Sequence, residues 1–147
     1  MDVIIGSDHA GFKLKEEIKK FSQKLGYDVS DYGTNSEQSV DYPDIAEKVA
    51  SDVVKKKKLG ILICGSGTGV TIAANKIKGA RAALCFDEFT AKTSREHNDA
   101  NILCLAGRDM ELAQAKKVAQ AWLQSEFTNE ERHKRRIEKV RRLETKC

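Results

Sequence analysis

The chain has 147 residues, 40% of them hydrophobic, which suits one domain with a packed core. Its net charge is +4, but residues 132 to 147 hold eight Lys and Arg against two Glu, so the remaining residues carry 18 basic and 20 acidic side chains. The basic charge therefore belongs to the C-terminal segment. No aromatic residue lies among those charges, which argues against a nucleic-acid partner.

The sequence does not indicate a membrane or secreted protein. No apolar run approaches the roughly 20 residues of a membrane span, and residues 1 to 6 are too short and too acidic for a signal peptide. We expect a cytoplasmic protein with no membrane contact. The cysteines have no C-x-x-C spacing, so we expect reduced thiols and no structural zinc. The four cysteines are Cys64, Cys85, Cys104 and Cys147.

Short apolar runs alternate with segments of helical periodicity from the start of the chain. Residues 3 to 5 predict a first strand, and the helix after it has apolar residues at spacings of four, three and four from Leu14 to Leu25. Gly26 is predicted to end that helix as its C′ residue. A second strand is predicted at residues 27 to 32.

The second half of the pattern repeats the same unit. Residues 33 to 41 form a polar loop, and Pro43 fits the first turn of the helix that follows. Asp87 and Asp109 are predicted to cap the fourth and fifth helices. The remaining three strands are predicted at residues 59–63, 81–86 and 102–106.

Five such units predict a three-layer α/β/α fold, in which a five-stranded parallel sheet is covered by helices on both faces. In sheets of this kind ligands bind at the carboxyl ends of the strands, where the strand order reverses. The loops that follow the strands are therefore the places to look for functional side chains.

The glycine-rich stretch after the third strand is the strongest local signal. An apolar run ends at Cys64, passes through alternate glycines and enters an alanine-rich helical segment. The glycines are Gly65, Gly67 and Gly69. Backbone N–H groups in such a loop can surround a ligand oxygen, and the helix that follows points its positive end at the same place. The layout predicts an anion-binding turn.

Two nucleotide-binding motifs resemble this turn only in part. A P-loop needs Lys followed by Ser or Thr after its last glycine, whereas Gly69 is followed by Val70 and Thr71. A dinucleotide-binding loop needs a third glycine where this chain has Val70 or Ile72. Asp87 does lie about 20 residues further on, as the ribose-binding acid of such a loop would. A nucleotide-binding regulatory module therefore stays open as an alternative.

Cys64 is explained by neither nucleotide motif. It is predicted at the carboxyl end of a central strand and beside a helix N-terminus, where a thiolate is stabilised and can act as a base or nucleophile. A plain core cysteine is the competing interpretation, since free Cys is among the most buried residue types.

Polar side chains at the other strand ends favour a functional site. Asp8 and His9 follow the first strand, and Arg108 follows the fifth. His97 and Asn98 are expected to reach the same edge of the sheet from the end of the fourth helix. Asp8 as a helix cap is the simpler alternative. A metal site made of Asp8, His9 and His97 is less favoured, because no ligand spacing supports it.

The C-terminal segment is predicted to be a helix that packs on another surface. Ile137, Val140 and Leu143 recur on one side of it. Arg132 and Arg136 are four residues apart, hence on one face, and two guanidinium groups so placed can bind a phosphate.

Together these segments resemble the type B ribose-5-phosphate isomerase family, which includes allose-6-phosphate and galactose-6-phosphate isomerase subunits. The resemblance spans nearly the whole chain. The matching segments are residues 6–11 (GSDHAG), 41–44 (DYPD), 60–69 (GILICGSGTG), 72–76 (IAANK), 94–101 (SREHNDAN) and 132–133 (RH).

The resemblance implies a Rossmann-like sheet with strand 1 between strands 2 and 3, and cofactor-free aldose–ketose isomerisation of a sugar phosphate. Cys64 would move the proton between C1 and C2. Members without this cysteine place a glutamate at the position of Val70, so this chain resembles the cysteine-based branch. Backbone N–H groups from Gly65 through Gly67 and Thr68 to Gly69, helped by Ser66, would hold the enediolate oxygen.

The same resemblance assigns the remaining site residues. Asp8 and His97 would open the furanose ring, and Asn98 and Tyr42 would lie near the sugar hydroxyls. The phosphate would be bound by four residues, two of them from the partner chain: His9 and Arg108 from one chain, Arg132 and Arg136 from the other. Many relatives have a glycine pair where this chain has Glu130 and Glu131.

We therefore predict one domain, residues 1–147, that interconverts ribose 5-phosphate and ribulose 5-phosphate in the pentose phosphate pathway. A six-carbon substrate such as allose 6-phosphate is the alternative within the enzyme class. No cofactor and no metal are expected. Residues 129–147 are predicted to form a dimer-exchanging helix, so the active site would be shared between the chains of a homodimer, and a dimer of dimers is a further option.

Overall fold

The structure is a computed structural model that describes residues 2 to 146. Cys147, the fourth predicted thiol, lies outside the described residues. The strands are β1 (Asp2–Ser7), β2 (Asp28–Asp31), β3 (Leu59–Cys64), β4 (Ala82–Leu84) and β5 (Ile102–Ala106). The helices are α1 (Phe12–Lys24), α2 (Tyr42–Lys56), α3 (Thr68–Ala74), α4 (Glu88–Glu96), α5 (Leu112–Gln124) and α6 (Glu131–Leu143).

The five strands form one parallel sheet in the order β2-β1-β3-β5-β4. Strand β1 lies between β2 and β3, which confirms the predicted order. From β1 the chain goes to β2 on one side of the sheet, and from β3 it goes to β4 and β5 on the other side, so the strand order reverses between β1 and β3. The carboxyl ends of these two strands are therefore the expected ligand-binding edge.

Helices cover both faces of the sheet, as the alternating pattern predicts. On one face, side chains of α1, α4 and α5 pack against β1, β3 and β5, with Ile18, Ile61 and Trp122 fully buried. On the other face, α2 and α3 pack against the same strands around Val49 and Leu62. Because β3 is buried along its whole length, Cys64 at its end is held by rigid neighbours.

Three of the four predicted helix boundaries are confirmed and one is wrong. Gly26 follows α1 with a φ of 99°, and Pro43 lies in the first turn of α2. Asp87 caps α4 by accepting a hydrogen bond from the Thr90 N–H at 2.7 Å. Asp109 caps nothing: it lies in a turn, and α5 begins three residues later. Its place in the turn after β5 is explained by the Met110 N–H, which bonds back to Ala106 O at 3.1 Å.

Helix α6 lies outside the layered body. Of its residues only His133 is buried, while Val140 and Leu143 are 52% and 57% exposed. Its far end is tied to the body where the Gly79 N–H donates to Glu144 Oε1 at 2.9 Å. Within residues 2–146, every helix is too short or too polar to cross a bilayer.

Candidate active site

The loops after β1, β3 and β5 meet at the carboxyl edge of the sheet. The Gly107 N–H donates to Cys64 O at 2.8 Å, and the Arg108 N–H donates to Gly65 O at 3.0 Å. An added Cβ at Gly107 would lie 2.8 Å from Ala10 O, so only glycine permits this approach of the first and last loops. The sequence thus brings three strand ends into contact.

Cys64 is the last residue of β3 and is 4% exposed. Its neighbour Gly65 lies against the Arg108 side chain, whose Nη1 is 3.5 Å from the position of a Cβ on Gly65. A thiol, a run of backbone N–H groups and a fixed cation therefore lie together. These are the groups needed to remove a proton beside a carbonyl and to stabilise the negative charge that forms.

The glycine loop is held in one conformation by several contacts. Gly67 has a φ of 76°, and a Cβ there would lie 2.5 Å from Leu84 Cδ1. Thr71 Oγ1 donates to Gly67 O at 2.6 Å. Ser66 Oγ accepts from the Thr68 N–H at 3.3 Å, and both of these residues are exposed. The loop is therefore preorganised, and its predicted ligand-binding hydroxyl faces solvent.

Asp8 and His9 lie beside this loop at the end of β1. Asp8 is 6% exposed, and its Oδ1 accepts from the Gly11 N–H at 3.0 Å. Gly11 is itself the N-cap residue of α1, so Asp8 holds the turn before the helix and is not its cap. His9 Nδ1 accepts from the Val40 N–H at 3.2 Å. Because Nδ1 accepts, the ring proton is on Nε2, which leaves that nitrogen as a donor for a ligand.

Tyr42 reaches the same edge from the start of α2. Its ring lies against the glycine loop, since a Cβ on Gly69 would come within 2.7 Å of two of its ring carbons. The side chain is 39% exposed. The carboxyl edge thus gathers most of the predicted site: Asp8, His9, Tyr42, Cys64, Gly65, Ser66, Gly67, Thr68, Gly69 and Arg108.

His97 and Asn98 lie at the opposite, amino edge of the sheet. Helix α4 runs back across the sheet, and the Asn101 carbonyl after this turn accepts from the Gly60 N–H at 2.9 Å. Gly60 and Cys64 are four residues apart in β3, or about 13 Å. The expectation that His97 and Asn98 reach Cys64 from the end of α4 is therefore wrong within one chain.

A second cluster forms around those two residues instead. The rings of His97 and His133 stack with centroids 4.4 Å apart and 14° between their planes. Arg136 and Asn98 line the same groove, which has a volume of about 890 Å³. We call His97, Asn98, Arg132, His133 and Arg136 the amino-edge cluster. His133 was overlooked in the sequence, where it was only part of a matching dipeptide.

Burial, together with His97 and Arg132, lowers the pKa of His133. Its Nε2 lies 3.4 Å from both Arg132 Nε and Glu130 Oε2. Glu130 also pairs with Arg132 at 2.9 Å, so the glutamate that replaces a glycine of many relatives contacts the predicted phosphate-binding arginine.

Two other predictions are decided by the same geometry. Asp8 and His9 lie at the carboxyl edge and His97 at the amino edge, so these three residues do not converge on a metal. Cys85 and Cys104 are fully buried, and burial raises their pKa values to about 11 and about 12. Cys85 and Cys104 are therefore plain core thiols.

The chain is similar to known isomerases over nearly its whole length. The chain matches the family described as Ribose/Galactose Isomerase over residues 3–140. It is 41% identical to ribose-5-phosphate isomerase B of Escherichia coli, over 97% of this chain and 95% of that one.

Solved structures extend the likeness to three dimensions. Ribose-5-phosphate isomerase B of Clostridium thermocellum superposes with a TM-score of 0.96 at 48% identity, with 99% of each chain covered. The enzyme of Mycoplasma genitalium with bound ribulose-5-phosphate gives a TM-score of 0.93 at 42% identity, covering 99% of this chain and 97% of that chain. The chain therefore belongs to the ribose/galactose isomerase family.

Proposed function

We propose that the protein interconverts ribose 5-phosphate and ribulose 5-phosphate, with Cys64 as the residue that moves the proton. The observation that carries this proposal is the position of Cys64 beside the glycine loop and Arg108. A relative 41% identical over nearly the whole chain is named ribose-5-phosphate isomerase B, and a structure 42% identical holds ribulose-5-phosphate.

The reaction moves a proton between C1 and C2 through an enediolate. Removing a proton beside a carbonyl is slow unless the developing oxyanion is stabilised, and one well-placed donor contributes on the order of 3–4 kcal/mol. The preorganised loop from Gly65 to Gly69 supplies such donors, with Ser66 and Thr68 exposed beside them. The thiolate of Cys64 takes the proton from one carbon and returns it to the other.

The substrate phosphate and hydroxyls are bound by the side chains that surround this loop. His9 presents its Nε2–H, and Arg108 presents a guanidinium group. Tyr42 lies over Gly69 and reaches the sugar hydroxyls. Asp8, at the end of β1, takes part in opening the furanose ring. None of these steps calls for a cofactor.

A second copy of the chain completes the site. His97, Asn98, Arg132 and Arg136 lie at the amino edge of their own sheet and cannot act on their own Cys64. Ile72, in the helix after the glycine loop, is 58% exposed, and Val140 of α6 is 52% exposed. Packing these apolar side chains across a two-fold axis gives each glycine loop the partner's amino-edge cluster. Residues 129 to 147 are proposed as the segment that packs on the partner chain. The cytoplasmic location stays a prediction.

An assay for ketose formation from ribose 5-phosphate tests the proposal. The wild type and Cys85→Ala are expected to produce ketose, because Cys85 is a buried core thiol on the other face of the sheet. Cys64→Ala should keep less than about a tenth of kcat. Allose 6-phosphate is run beside ribose 5-phosphate, and faster turnover of the six-carbon sugar would reassign the substrate. If the wild type formed ketose from neither sugar phosphate, the proposed isomerase function would be refuted.

A further inference from the structure

We infer that His133 is a positioning residue, whose ring stacks on His97 and holds it in the orientation that opens the sugar ring. This inference rests on the proposed function, in which His97 acts on the partner's substrate. The stack itself lies within one chain.

The stack is the contact that fixes the His97 ring. His97 is the C-cap residue of α4, and its backbone N–H bonds to Thr93 O at 2.8 Å. Among residues 2–146, the His97 ring forms no hydrogen bond, so both ring nitrogens are available to a ligand. Its rotation about the side-chain bonds is limited instead by the parallel face of His133, 4.4 Å away.

His133 is itself firmly held. It is 6% exposed, and its backbone N–H bonds to Glu130 O at 3.0 Å in the first turn of α6. Its Nε2 lies between Arg132 Nε and Glu130 Oε2. A partly exposed ring stacked on a buried one has far fewer orientations than a ring on a helix end alone. The stack therefore preorganises His97 before substrate arrives.

The charges around the pair keep His133 out of the proton transfer. Glu130, Arg132 and Arg136 face it from α6, and His97 faces it from α4. Burial, His97 and Arg132 lower the pKa of His133 against the opposing carboxylate of Glu130, which favours the neutral ring as a support for His97.

The ring-opening step can be separated from isomerisation by substrate chemistry. Opening the furanose of ribose 5-phosphate removes a proton from the C1 hydroxyl, breaks the bond between C1 and O4, and adds a proton to O4. Ribulose 5-phosphate has its C5 oxygen phosphorylated and cannot close to a furanose. Exchange of its C1 proton with solvent deuterium therefore needs the Cys64 step and no ring opening.

The test measures both reactions in the wild type, His133→Ala and His133→Phe. We expect His133→Ala to lower the rate of ketose formation from ribose 5-phosphate about tenfold or more, while deuterium exchange into ribulose 5-phosphate changes less than about twofold. Phenylalanine keeps a flat ring for the stack and should restore most of the rate. Retained exchange also shows that the variant is folded.

Three outcomes would overturn the inference. In the first, His133→Ala forms ketose at the wild-type rate. In the second, both reactions fall together, so that His133 supports the fold or binding in general. In the third, His133→Phe is as slow as His133→Ala, so that the imidazole itself is needed. A wild type with neither reaction would refute the proposed function instead, so the two failures are distinguishable.

Discussion

At the scale of single residues, the same side chain has different chemistry at different points of one sheet. Cys64 and Cys104 lie in neighbouring strands, where Cys104 pairs with Leu62 and Cys64 with Ala106. Cys104 is in the middle of β5, and burial raises its pKa to about 12. Cys64 ends its strand, beside a loop of glycines. Its position at the end of a strand is therefore what makes Cys64, unlike Cys104, a candidate base.

The glycine loop gives a prediction at the same scale. Gly67→Ala should reduce both stability and activity, because alanine at a φ of 76° is strained and its Cβ would meet Leu84 Cδ1 at 2.5 Å. Gly26→Ala is the matched control: its φ is 99°, but no atom lies within 4 Å of the added Cβ. The control should lose about 1 kcal/mol through backbone strain alone.

Chemical denaturation and ketose formation measure the difference between the two variants. We expect Gly67→Ala to be the less stable and to lose most of its activity, since the loop that holds the oxyanion must move. Gly26→Ala should keep wild-type activity. Equal losses of stability in the two variants would mean that the contact with Leu84 relaxes without cost.

At the scale of elements, one ion pair fastens α1 to the end of β2. Lys15 is fully buried, and its Nζ donates to both carboxylate oxygens of Asp31 at 2.7 Å. Asp31 also accepts from Lys19 at 2.9 Å and from the Gly33 N–H at 2.9 Å. The loop that leads to Val40, whose N–H bonds to His9, begins at this point, so the ion pair supports one wall of the site.

Removing the carboxylate should therefore be costly. Asp31→Asn removes the carboxylate that pairs with the buried Lys15 ammonium and should lower the free energy of unfolding by about 3 kcal/mol. Lys15→Met replaces the cation with an apolar side chain of similar length and should cost less. Urea denaturation of both variants gives the comparison. A larger loss in Lys15→Met would show that the ammonium is well solvated without Asp31.

The same pair predicts a dependence on pH. Partial burial raises the pKa of Asp31, but hydrogen bonds from Lys15 and Lys19 outweigh it and hold the pKa below the ordinary value of 3.8. A carboxyl group with a lowered pKa stabilises the fold above the unfolded-state pKa, and this contribution is lost as the pH falls through the folded-state pKa. The stability difference between wild type and Asp31→Asn should stay constant near neutral pH and shrink below about pH 4. A difference that grows in acid would contradict the sign.

Local signals in the sequence were sufficient for most element boundaries. Gly26 and Asp87 act within one turn of the chain, and the structure has both where they were predicted. Asp109 has the same residue type as Asp87, but it lies in the turn after β5, three residues before α5 begins. The fourth strand is shorter than predicted, Ala82–Leu84 instead of residues 81–86. At its start, the Arg81 backbone N–H donates to the side-chain Oδ1 of Asn101 at 2.7 Å instead of to a neighbouring strand.

The candidate site was harder to predict, because it depends on which edge of the sheet a residue occupies. Asp8, Cys64 and Arg108 lie at or just after the carboxyl ends of strands, which places them at one edge of the sheet. His97 follows a helix and precedes β5, which places it at the other edge. The stack with His133 depends on the path of α6, and the sequence alone gave no sign of it beyond the dipeptide Arg132-His133.

At the scale of the whole molecule, the two clusters at opposite edges of the sheet predict sites shared between chains. In a two-fold dimer each site would combine Cys64 of one chain with His97 and Arg136 of its partner. Inactive variants that carry their defects in different clusters should therefore complement each other. Variants with defects in the same cluster should not.

Mixed refolding tests this arrangement. When Cys64→Ala and Arg136→Ala are unfolded together and refolded, random pairing makes roughly half of the dimers mixed, and each mixed dimer has one intact site. Activity should return to roughly a quarter of the wild-type value, and the pair Cys64→Ala with His97→Ala should behave alike. The control is His97→Ala with Arg136→Ala. Both defects lie in the amino-edge cluster, so every site of the mixed dimer lacks one group and activity should stay at the level of the separate variants. No recovery with Cys64→Ala would show that each chain builds its site alone. Recovery in the control would show that His97 and Arg136 of one chain serve different sites.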